Sequence, residues 1–167
     1  HSSAASDVYK RQVKSRGERV AMREKDLGIW QEISWLQYGE KAKLTGLALH
    51  TLGLEKGNVV SIASEGNPEW LYTDMGTIGA GGISSGVYTT DSAAQVKYLV
   101  NDSATKFYFA ENEEQLDKIL EVRGECPSLK QIIVFDMEGL NDFHDDQVLS
   151  YEAVSYTHLR AHETSQN

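Results

Sequence analysis

A repeated order of apolar runs and helix-start signals most constrains what this chain can fold into. The run Val59–Ala63 is short and rich in β-branched residues, which favours a buried strand. Asn67–Pro68 follows it and suits a helix start, because asparagine caps free amides and proline lacks the amide that would be unpaired there. The same order recurs in a strand predicted over Gly82–Tyr88, which precedes Ser92 and Gln95 at the spacing of a capping box.

A third repeat completes the predicted core. Lys106–Ala110 is predicted as a strand, Asn112 and Gln115 as the next helix start, and Gln131–Asp136 as a fourth strand. Strands that alternate with helices imply right-handed crossovers and a parallel sheet. We therefore expect an α/β fold, a doubly wound parallel sheet with helices on both faces. The acidic stretch after Asp136 gives the sheet no clear end.

Ahead of this core, the sequence predicts a short antiparallel hairpin and a helix. Val20–Arg23 and Ile29–Ser34 are predicted as strands, joined by the polar stretch Glu24–Gly28, which ends in glycine as many hairpin turns do. The last residue of the second strand stands three residues before Gln37, again a capping-box spacing, and the helix is expected to reach about Leu52. Its predicted apolar face comprises Leu44, Leu47, Ala48 and Leu52.

Composition limits the classes of partner. The 167 residues carry 16 basic and 25 acidic side chains, a net charge of −9. Such a chain repels nucleic acid and anionic lipid at long range, so we expect no nucleic-acid partner. No apolar run approaches the roughly 20 residues that cross a bilayer, so no transmembrane segment is predicted. Cys126 is the single cysteine, which excludes an internal disulfide framework and fits a reducing, cytoplasmic compartment.

Glycines at positions 76, 79, 81, 82 and 86 invite comparison with a nucleotide-binding loop. A dinucleotide fingerprint anchored at Gly79 and Gly81 requires glycine where Ser84 stands, and it follows a strand, whereas this cluster follows a predicted helix. The sequence also lacks a phosphate loop of the Gly-Lys-Ser or Gly-Lys-Thr kind. We interpret the glycines as positions where a helix end packs closely on the sheet.

The turn Ser64–Trp70 joins the carboxyl end of a predicted strand to a helix start, where backbone amides can bind an anion. Glu65 and Glu69 oppose an anionic guest, so we predict a capping role for the turn, with Trp70 as a core anchor. Asp136 also ends a predicted strand and is the candidate phosphate acceptor if the domain is receiver-like. A phosphatase-like site would require a second aspartate where Glu138 stands.

The remaining candidates carry weaker signals. The aspartates of the acidic stretch lack the spacing of a calcium loop, so a solvated loop is predicted. Cys126 is predicted as a small buried or loop residue, because no histidine lies near it in sequence. His50 and His144 likewise have no catalytic partner close in sequence. The aspartates in question are Asp142, Asp145 and Asp146.

Both ends of the chain resemble translated sequencing adapters. Residues 2–12 resemble one adapter of transposase-based libraries, and residues 154–164 resemble its partner. We therefore predict that residues 1–12 and 154–167 are adapter-derived and that residues 13–153 form the protein segment. His158, Arg160 and His162 are accordingly given no role as metal ligands.

Several segments along residues 13–153 carry a resemblance to a known family. They are Arg19–Lys25, Gly28–Trp35, Leu52–Ile62, Asn67–Trp70, Gly81–Tyr88, Tyr98–Ala104, Ala110–Lys118, Cys126–Leu129 and Ile132–Phe135. In order and spacing they resemble the start of bacterial long-chain fatty-acyl-CoA synthetases, which are AMP-forming, adenylate-forming enzymes. Asn58 is a departure, since the family usually has aspartate there.

The resemblance implies a ligase that joins a fatty acid to ATP, releases pyrophosphate, and transfers the acyl group from the acyl-adenylate to coenzyme A. ATP, magnesium and coenzyme A are thereby implied for the parent, as is a cytoplasmic location, with peripheral contact to the inner membrane left open. The phosphate loop, the adenine and ribose motifs and the catalytic lysine would all lie further along such a chain. No catalytic, cofactor-binding or metal-binding residue is therefore assigned. Architectural roles are expected for Trp70, Gly81, Gly82 and Tyr88.

On this reading the chain is an incomplete part of a larger domain, inactive when isolated and exposing apolar surface. The alternative is a self-contained small α/β binding or receiver-like domain, with Asp136 or the turn after Ala63 as its site. Another adenylating branch, such as an aryl-acid ligase or an amino-acid activator, also stays open.

Overall fold

The computed structural model describes residues 2–17, 20–26 and 29–156. The helices are α1 (Ser2–Arg16), α2 (Trp35–Thr51), α3 (Pro68–Gly79), α4 (Ala93–Ser103) and α5 (Glu113–Val122). The strands are β1 (Val20–Asp26), β2 (Ile29–Ser34), β3 (Val59–Ala63), β4 (Ile83–Val87), β5 (Thr105–Ala110), β6 (Gln131–Val134) and β7 (Val148–Ser150). A 3-10 turn follows α5 at Arg123–Glu125, and residues 151–156 are helical.

The strands form two sheets. β1 and β2 pair antiparallel, while the other strands form a five-stranded parallel sheet in the order β4-β3-β5-β6-β7. The α/β fold predicted from the alternation of elements is thereby confirmed, as is the N-terminal hairpin. The predicted turn Glu24–Gly28 is wrong for Glu24–Asp26, which belong to β1, and residues 27 and 28 lie outside the described residues.

Local side-chain hydrogen bonds explain where four helices begin. Ser34 with Gln37, and Ser92 with Gln95, each form a reciprocal capping box. The side chains of Asn67 and Asn112 accept hydrogen bonds from the third residue beyond them, as N-caps do. All four predicted helix starts are confirmed.

Helices cover both faces of the parallel sheet, as predicted. Side chains alternate along β5, so Phe107 and Phe109 point to the face covered by α2 and α3, whereas Tyr108 points to the face covered by α4 and α5. The centre of β3 is buried from both sides, with Val60 and Ile62 fully shielded. The core is therefore two apolar clusters separated by the sheet.

Helices α2 and α3 approach each other through glycine. A Cβ atom added at Gly76 would lie 2.7 Å from the carbonyl oxygen of Ala42 and 2.9 Å from the amide nitrogen of Gly46. The prediction of close packing is therefore correct for Gly76, although the partner is a helix rather than the sheet. Gly79 and Gly86 have open space where a side chain would begin, so the packing interpretation is wrong for them.

The structure differs from the predicted elements at both ends of the core. The strand predicted over Gln131–Asp136 ends at Val134, and the sheet gains β7, which the sequence analysis missed. β7 has only three residues and follows an acidic loop, so no periodicity marks it. Helix α1 was also missed, and it includes most of the segment predicted to be adapter-derived. Leu47, placed on the apolar face of α2, is 39% exposed.

Candidate functional site at the carboxyl ends of the strands

The order of the parallel sheet reverses between β3 and β5. From β3 the chain passes outward to β4, and later elements are added on the other side, beginning with β5. In open α/β sheets, ligands bind in the crevice outside the carboxyl ends of the strands at such a reversal. Here the crevice is bordered by residues 64–67, which follow β3, and by Glu111 and Asn112, which follow β5.

The carboxylate of Glu111 joins the two sides of this crevice. Its Oε1 atom accepts hydrogen bonds from Ser64 Oγ at 3.1 Å, from the Glu65 amide at 2.9 Å and from Asn67 Nδ2 at 3.2 Å. The Glu111 amide in turn donates to the Ala63 carbonyl oxygen at 2.9 Å. An ionised carboxylate only accepts hydrogen bonds, so Glu111 holds the turn after β3 against the end of β5.

A third loop, which follows β4, is tied to the same edge. Thr89 Oγ1 donates to the carboxylate of Glu65. The carbonyl oxygen of Thr89 accepts from Lys118 Nζ at 2.7 Å and from Gln115 Nε2 at 3.1 Å, both on α5. The loops after β3, β4 and β5 therefore form one hydrogen-bonded assembly, which fixes the edge of the sheet.

Side chains already bond some of the backbone amides at this edge. The amide of Glu65 donates to Glu111, and one amide in the first turn of each of α3 and α5 donates to the side chain of Asn67 or Asn112. Those amides are among the donors that an anion at a helix start would use. Within residues 2–17, 20–26 and 29–156, no group of three His, Cys, Asp or Glu side chains is arranged to hold a metal ion. The prediction that the turn after Ala63 caps a helix is confirmed.

Asp136 lies near the same edge, although two residues beyond the end of β6. Its amide donates to the carbonyl oxygen of Glu111 at 2.9 Å, and its exposed side chain accepts from the Glu138 amide at 3.0 Å. The backbone of Asp136 therefore continues the edge assembly, while its carboxylate shapes a surface turn.

The acidic loop before β7 is organised by an ion pair that the sequence analysis missed. Asp145 Oδ2 accepts from Arg123 Nη2 at 2.7 Å, and Asp145 Oδ1 accepts from the Gln147 amide at 2.9 Å. The hydrogen bond from Arg123, and then that from Gln147, lower the pKa of Asp145 below its ordinary value. The prediction of a merely solvated loop is therefore wrong for Asp145, whereas Asp142 and Asp146 are exposed.

The sulfur and imidazole candidates are not brought together. Cys126 is buried, as predicted, and burial is the main cause that raises the pKa of its thiol. A raised thiol pKa disfavours the thiolate that a nucleophile requires. His50 and His144 are both exposed, on α2 and in the acidic loop respectively.

The four residues expected to be architectural divide into two groups. Gly81 has a φ of +88°, which favours glycine, and Gly82 lies so close to Leu54 and Thr77 that a Cβ would be 3.0–3.1 Å from them. Trp70 is half-buried and packs against the cluster under α2 and α3. Tyr88 is 79% exposed and belongs to neither core cluster, so its architectural role stays a prediction. It lies just beyond Val87, the last paired residue of β4.

The residues that build the edge assembly were not among the candidates predicted from the sequence. Glu111, Thr89 and Lys118 have no special spacing, and their partners lie 24 to 47 positions away in sequence. One local signal exists, because Glu111 stands directly between the end of β5 and the N-cap Asn112. A polar residue at that position of a doubly wound sheet faces the reversal crevice.

Comparison with solved structures shows which fold this is. An anthranilate CoA ligase, AuaEII, in complex with anthranoyl-AMP, matches 92% of this chain with a TM-score of 0.79 and 24% identity, over 27% of its own length. A coronafacic acid ligase from Pectobacterium brasiliense matches 90% of this chain with a TM-score of 0.80 and 16% identity, over 29% of its own length. The fold is therefore that of part of these ligases.

Sequence comparison shows the family. A long-chain-fatty-acid–CoA ligase, ACSBG2 of Xenopus laevis, is 34% identical over 131 residues, which are 78% of this chain and 18% of that protein. ACSBG1 of Homo sapiens is 32% identical over 119 residues, which are 71% of this chain and 16% of that protein. The family model described as AMP-binding enzyme matches residues 9–165, nearly the whole sequence. The chain therefore belongs to the family of AMP-binding enzymes.

Proposed function

We propose that this chain is the opening part of a ligase that activates a long-chain fatty acid with ATP and transfers it to coenzyme A. One observation carries the proposal: long-chain-fatty-acid–CoA ligases are 34% identical to it, and the chain spans only 18% of the length of such a relative. ATP, magnesium and coenzyme A are the ligands proposed for the whole protein, and the cytoplasm its proposed compartment. The isolated chain is proposed to be inactive.

The geometry of the sheet edge supports a structural role for this part of the larger protein, with nucleotide binding elsewhere. Glu111 bridges the two loops that border the crevice in which a doubly wound sheet would take a ligand, and the nearby helix starts are capped. This part of the chain is therefore proposed to be a scaffold, and the nucleotide is proposed to bind to residues that this sequence does not contain.

Exposed apolar side chains on β4 and α4 support the same proposal. Ile83 is 52% exposed and Tyr98 is 67% exposed, and Tyr88 and Leu99 are exposed as well. Another part of the larger protein is proposed to cover these side chains. β4 is also the edge of the five-stranded sheet and pairs only with β3 among the described residues. Exposed edges favour association, so we expect the isolated chain to be marginally stable or to aggregate.

The test compares this chain with the gene from which it comes. Extending the reading frame in genomic DNA should reveal a phosphate loop, and the whole protein should release pyrophosphate when given ATP and hexadecanoate. This chain alone should release none. An immediate stop codon after Ala153, or saturable ATP binding or aspartyl phosphorylation of this chain, would instead support the self-contained domain.

Substrate class is tested with the whole protein. Hexadecanoate should be activated in preference to an aryl acid such as benzoate, and to amino acids. A preference for benzoate would place the protein in an aryl-acid branch, although its membership of the AMP-binding enzymes would stand.

A further inference from the structure

One residue, Glu111, connects the loops at the carboxyl edge of the parallel sheet. Its amide donates to the Ala63 carbonyl oxygen at the end of β3, and its carbonyl oxygen accepts from the Asp136 amide beyond β6, both at 2.9 Å. Its Oε1 atom accepts three hydrogen bonds from the turn after β3. Within that turn, Glu65 binds Thr89 of the loop after β4. The loops after β3, β4, β5 and β6 therefore meet through Glu111.

The helices beside these loops begin without help from this carboxylate. Asn67 Oδ1 accepts from the Trp70 amide at 2.9 Å, and Asn112 Oδ1 accepts from the Gln115 amide at 3.2 Å. The bond to Glu111 uses the other end of the Asn67 amide, its Nδ2 atom, so it adds to the cap rather than forming it. The carboxylate therefore fixes how the loops lie relative to one another, not where the helices start.

The relative positions of these loops matter for binding at this edge. In open α/β sheets, ligands bind outside the carboxyl ends of the strands, where the order of the sheet reverses. A displacement of about 1 Å, even one caused far from the reacting atoms, can lower a reaction rate by about 100-fold. A residue that sets the spacing of four loops at such an edge can therefore control the reaction without touching a substrate.

We infer that Glu111 is a positioning residue for the proposed ligase reaction. Its carboxylate holds the four loops in one arrangement and acts through them on the later residues of the ligase that bind the substrates. The inference rests on the proposed function and adds to it a role for this part of the chain in the reaction itself.

Positioning by Oε1 makes the reach of the side chain more important than its charge. Glu111→Gln keeps an acceptor oxygen at the same distance from the backbone. Its amide nitrogen takes the place of Oε2, which accepts only a 3.4 Å hydrogen bond from Asn112 Nδ2. Glu111→Asp keeps the charge but is one methylene shorter, which withdraws both oxygens from the turn after β3. The two variants therefore separate reach from charge.

The test measures pyrophosphate release by the whole ligase with ATP, hexadecanoate and coenzyme A. Glu111→Ala and Glu111→Asp should each lower kcat/KM for ATP by about tenfold or more. Glu111→Gln should stay within about threefold of the wild type, because a neutral acceptor makes weaker hydrogen bonds in the same geometry. Glu114→Gln removes a carboxylate from an exposed position in the first turn of α5 and should change kcat/KM by less than about twofold.

A core variant separates positioning from stability. Ile119 is fully buried under α5, so Ile119→Ala destabilises the fold without removing a hydrogen bond of the edge. It should lower the melting temperature of the ligase at least as much as Glu111→Ala, yet leave kcat/KM within about twofold at a temperature where both are folded. Ile119→Val replaces it if the alanine variant does not fold, and the comparison of Glu111→Asp with Glu111→Gln decides if Glu111→Ala does not.

Each other outcome has a definite meaning. A smaller loss in Glu111→Ala, or an equal loss in Ile119→Ala, would overturn the inference while the proposed function stands. Greater activity in Glu111→Asp than in Glu111→Gln would overturn it as well, because charge rather than reach would then matter. A wild-type ligase that releases no pyrophosphate would overturn the proposed function, and this inference with it.

Discussion

The two faces of the five-stranded sheet are packed in different ways. Apolar side chains fill the space next to the sheet on both faces. The two helices α2 and α3 also meet backbone to backbone, since a Cβ at Gly46 would lie 2.8 Å from the carbonyl oxygen of Gly76. The contact between these helices therefore has no room for an added atom, whereas packing under α4 and α5 depends on the volume of side chains such as Val96 and Ile119.

Both faces bury tyrosine, and the hydroxyls of Tyr151 and Tyr108 differ. Tyr151 lies on the first face and shares a 2.6 Å hydrogen bond with Thr45 Oγ1 of α2. Tyr108 lies on the second face, and its hydroxyl has no hydrogen-bond partner among the described residues. Burial is the main cause that raises the pKa of both phenols, that of Tyr151 to about 12. A polar contact therefore fixes Tyr151 on the first face, whereas the hydroxyl of Tyr108 on the second is unsatisfied, as is Thr77 Oγ1 on α3.

The largest effect is expected from Gly76→Ala. The added methyl group would overlap the carbonyl oxygen of Ala42, so α2 and α3 must separate, and the free energy of unfolding in urea should fall by about 3 kcal/mol. Gly79→Ala is the matched control on the same helix, because it has open space, and it should be neutral or stabilising by up to about 1 kcal/mol. Similar destabilisation by both variants would show that helix contact does not distinguish the two glycines.

Removing one hydroxyl from each face should have opposite effects. Tyr151→Phe should cost about 1.5 kcal/mol, because the bond to Thr45 is lost. Tyr108→Phe should be neutral or stabilising by up to about 1 kcal/mol, because it removes a buried hydroxyl without a partner. Urea unfolding of the two variants at pH 7 checks the pair, and equal losses would mean that both hydroxyls are bonded in solution.

The raised pKa of Tyr151 makes the stability of the folded protein depend on pH in the alkaline range. Because the folded state favours the neutral phenol, this contribution to stability is complete below about pH 10, the ordinary value, and is lost as the pH rises toward about 12. In Tyr151→Phe, the fall in stability over that alkaline range should be shallower than in the wild type. Parallel curves for the two proteins would contradict the assignment.

Removing a single methyl group from the second face should have a smaller effect than adding one to the first. Ile119 is fully buried between α5 and the sheet, so Ile119→Val should cost about 1 kcal/mol through lost burial and a small cavity. Asp117→Asn, on the exposed side of the same helix, provides the control and should be nearly neutral. A loss as large as that of Gly76→Ala would remove the distinction between the two faces.

Features that depend on neighbouring residues could be predicted from the sequence, whereas those that depend on distant residues could not. The capping boxes at Ser34 and Ser92 were predictable, because both partners lie within one helical turn. The parallel sheet followed from the alternation of elements. In contrast, Glu111 meets Ser64 across 47 positions, and Thr45 meets Tyr151 across 106. Neither pair has a spacing that a local pattern can reveal.

The resemblance to a family predicted the class of protein, which local sequence patterns could not. The sequence motifs indicated a synthetase, and the family is confirmed, but the short strand β7 and the ion pair before it stayed hidden. β7 has a partner only because the chain returns to β6, so its register depends on tertiary contacts rather than on its own three residues. The predicted adapter boundaries at residues 12 and 153 stay predictions.

The smallest effect is expected from the ion pair that connects the end of α5 to the loop before β7. Arg123 follows α5 and binds Asp145, whose pKa is lowered, so this contribution to stability is present above the ordinary aspartate value of 3.8 and is lost as the pH falls below it. Asp145→Asn should cost about 0.5 kcal/mol at pH 7 and nothing near pH 2, whereas Asp146→Asn should have no effect at either pH. Urea unfolding across this range checks it, and a constant difference between Asp145→Asn and the wild type would mean that the pair acts through shape rather than charge. The contribution of Tyr151 to stability is lost in alkali, and that of the Asp145 ion pair is lost in acid. A change of pH therefore weakens the polar anchoring of one face at a time, without altering any apolar contact.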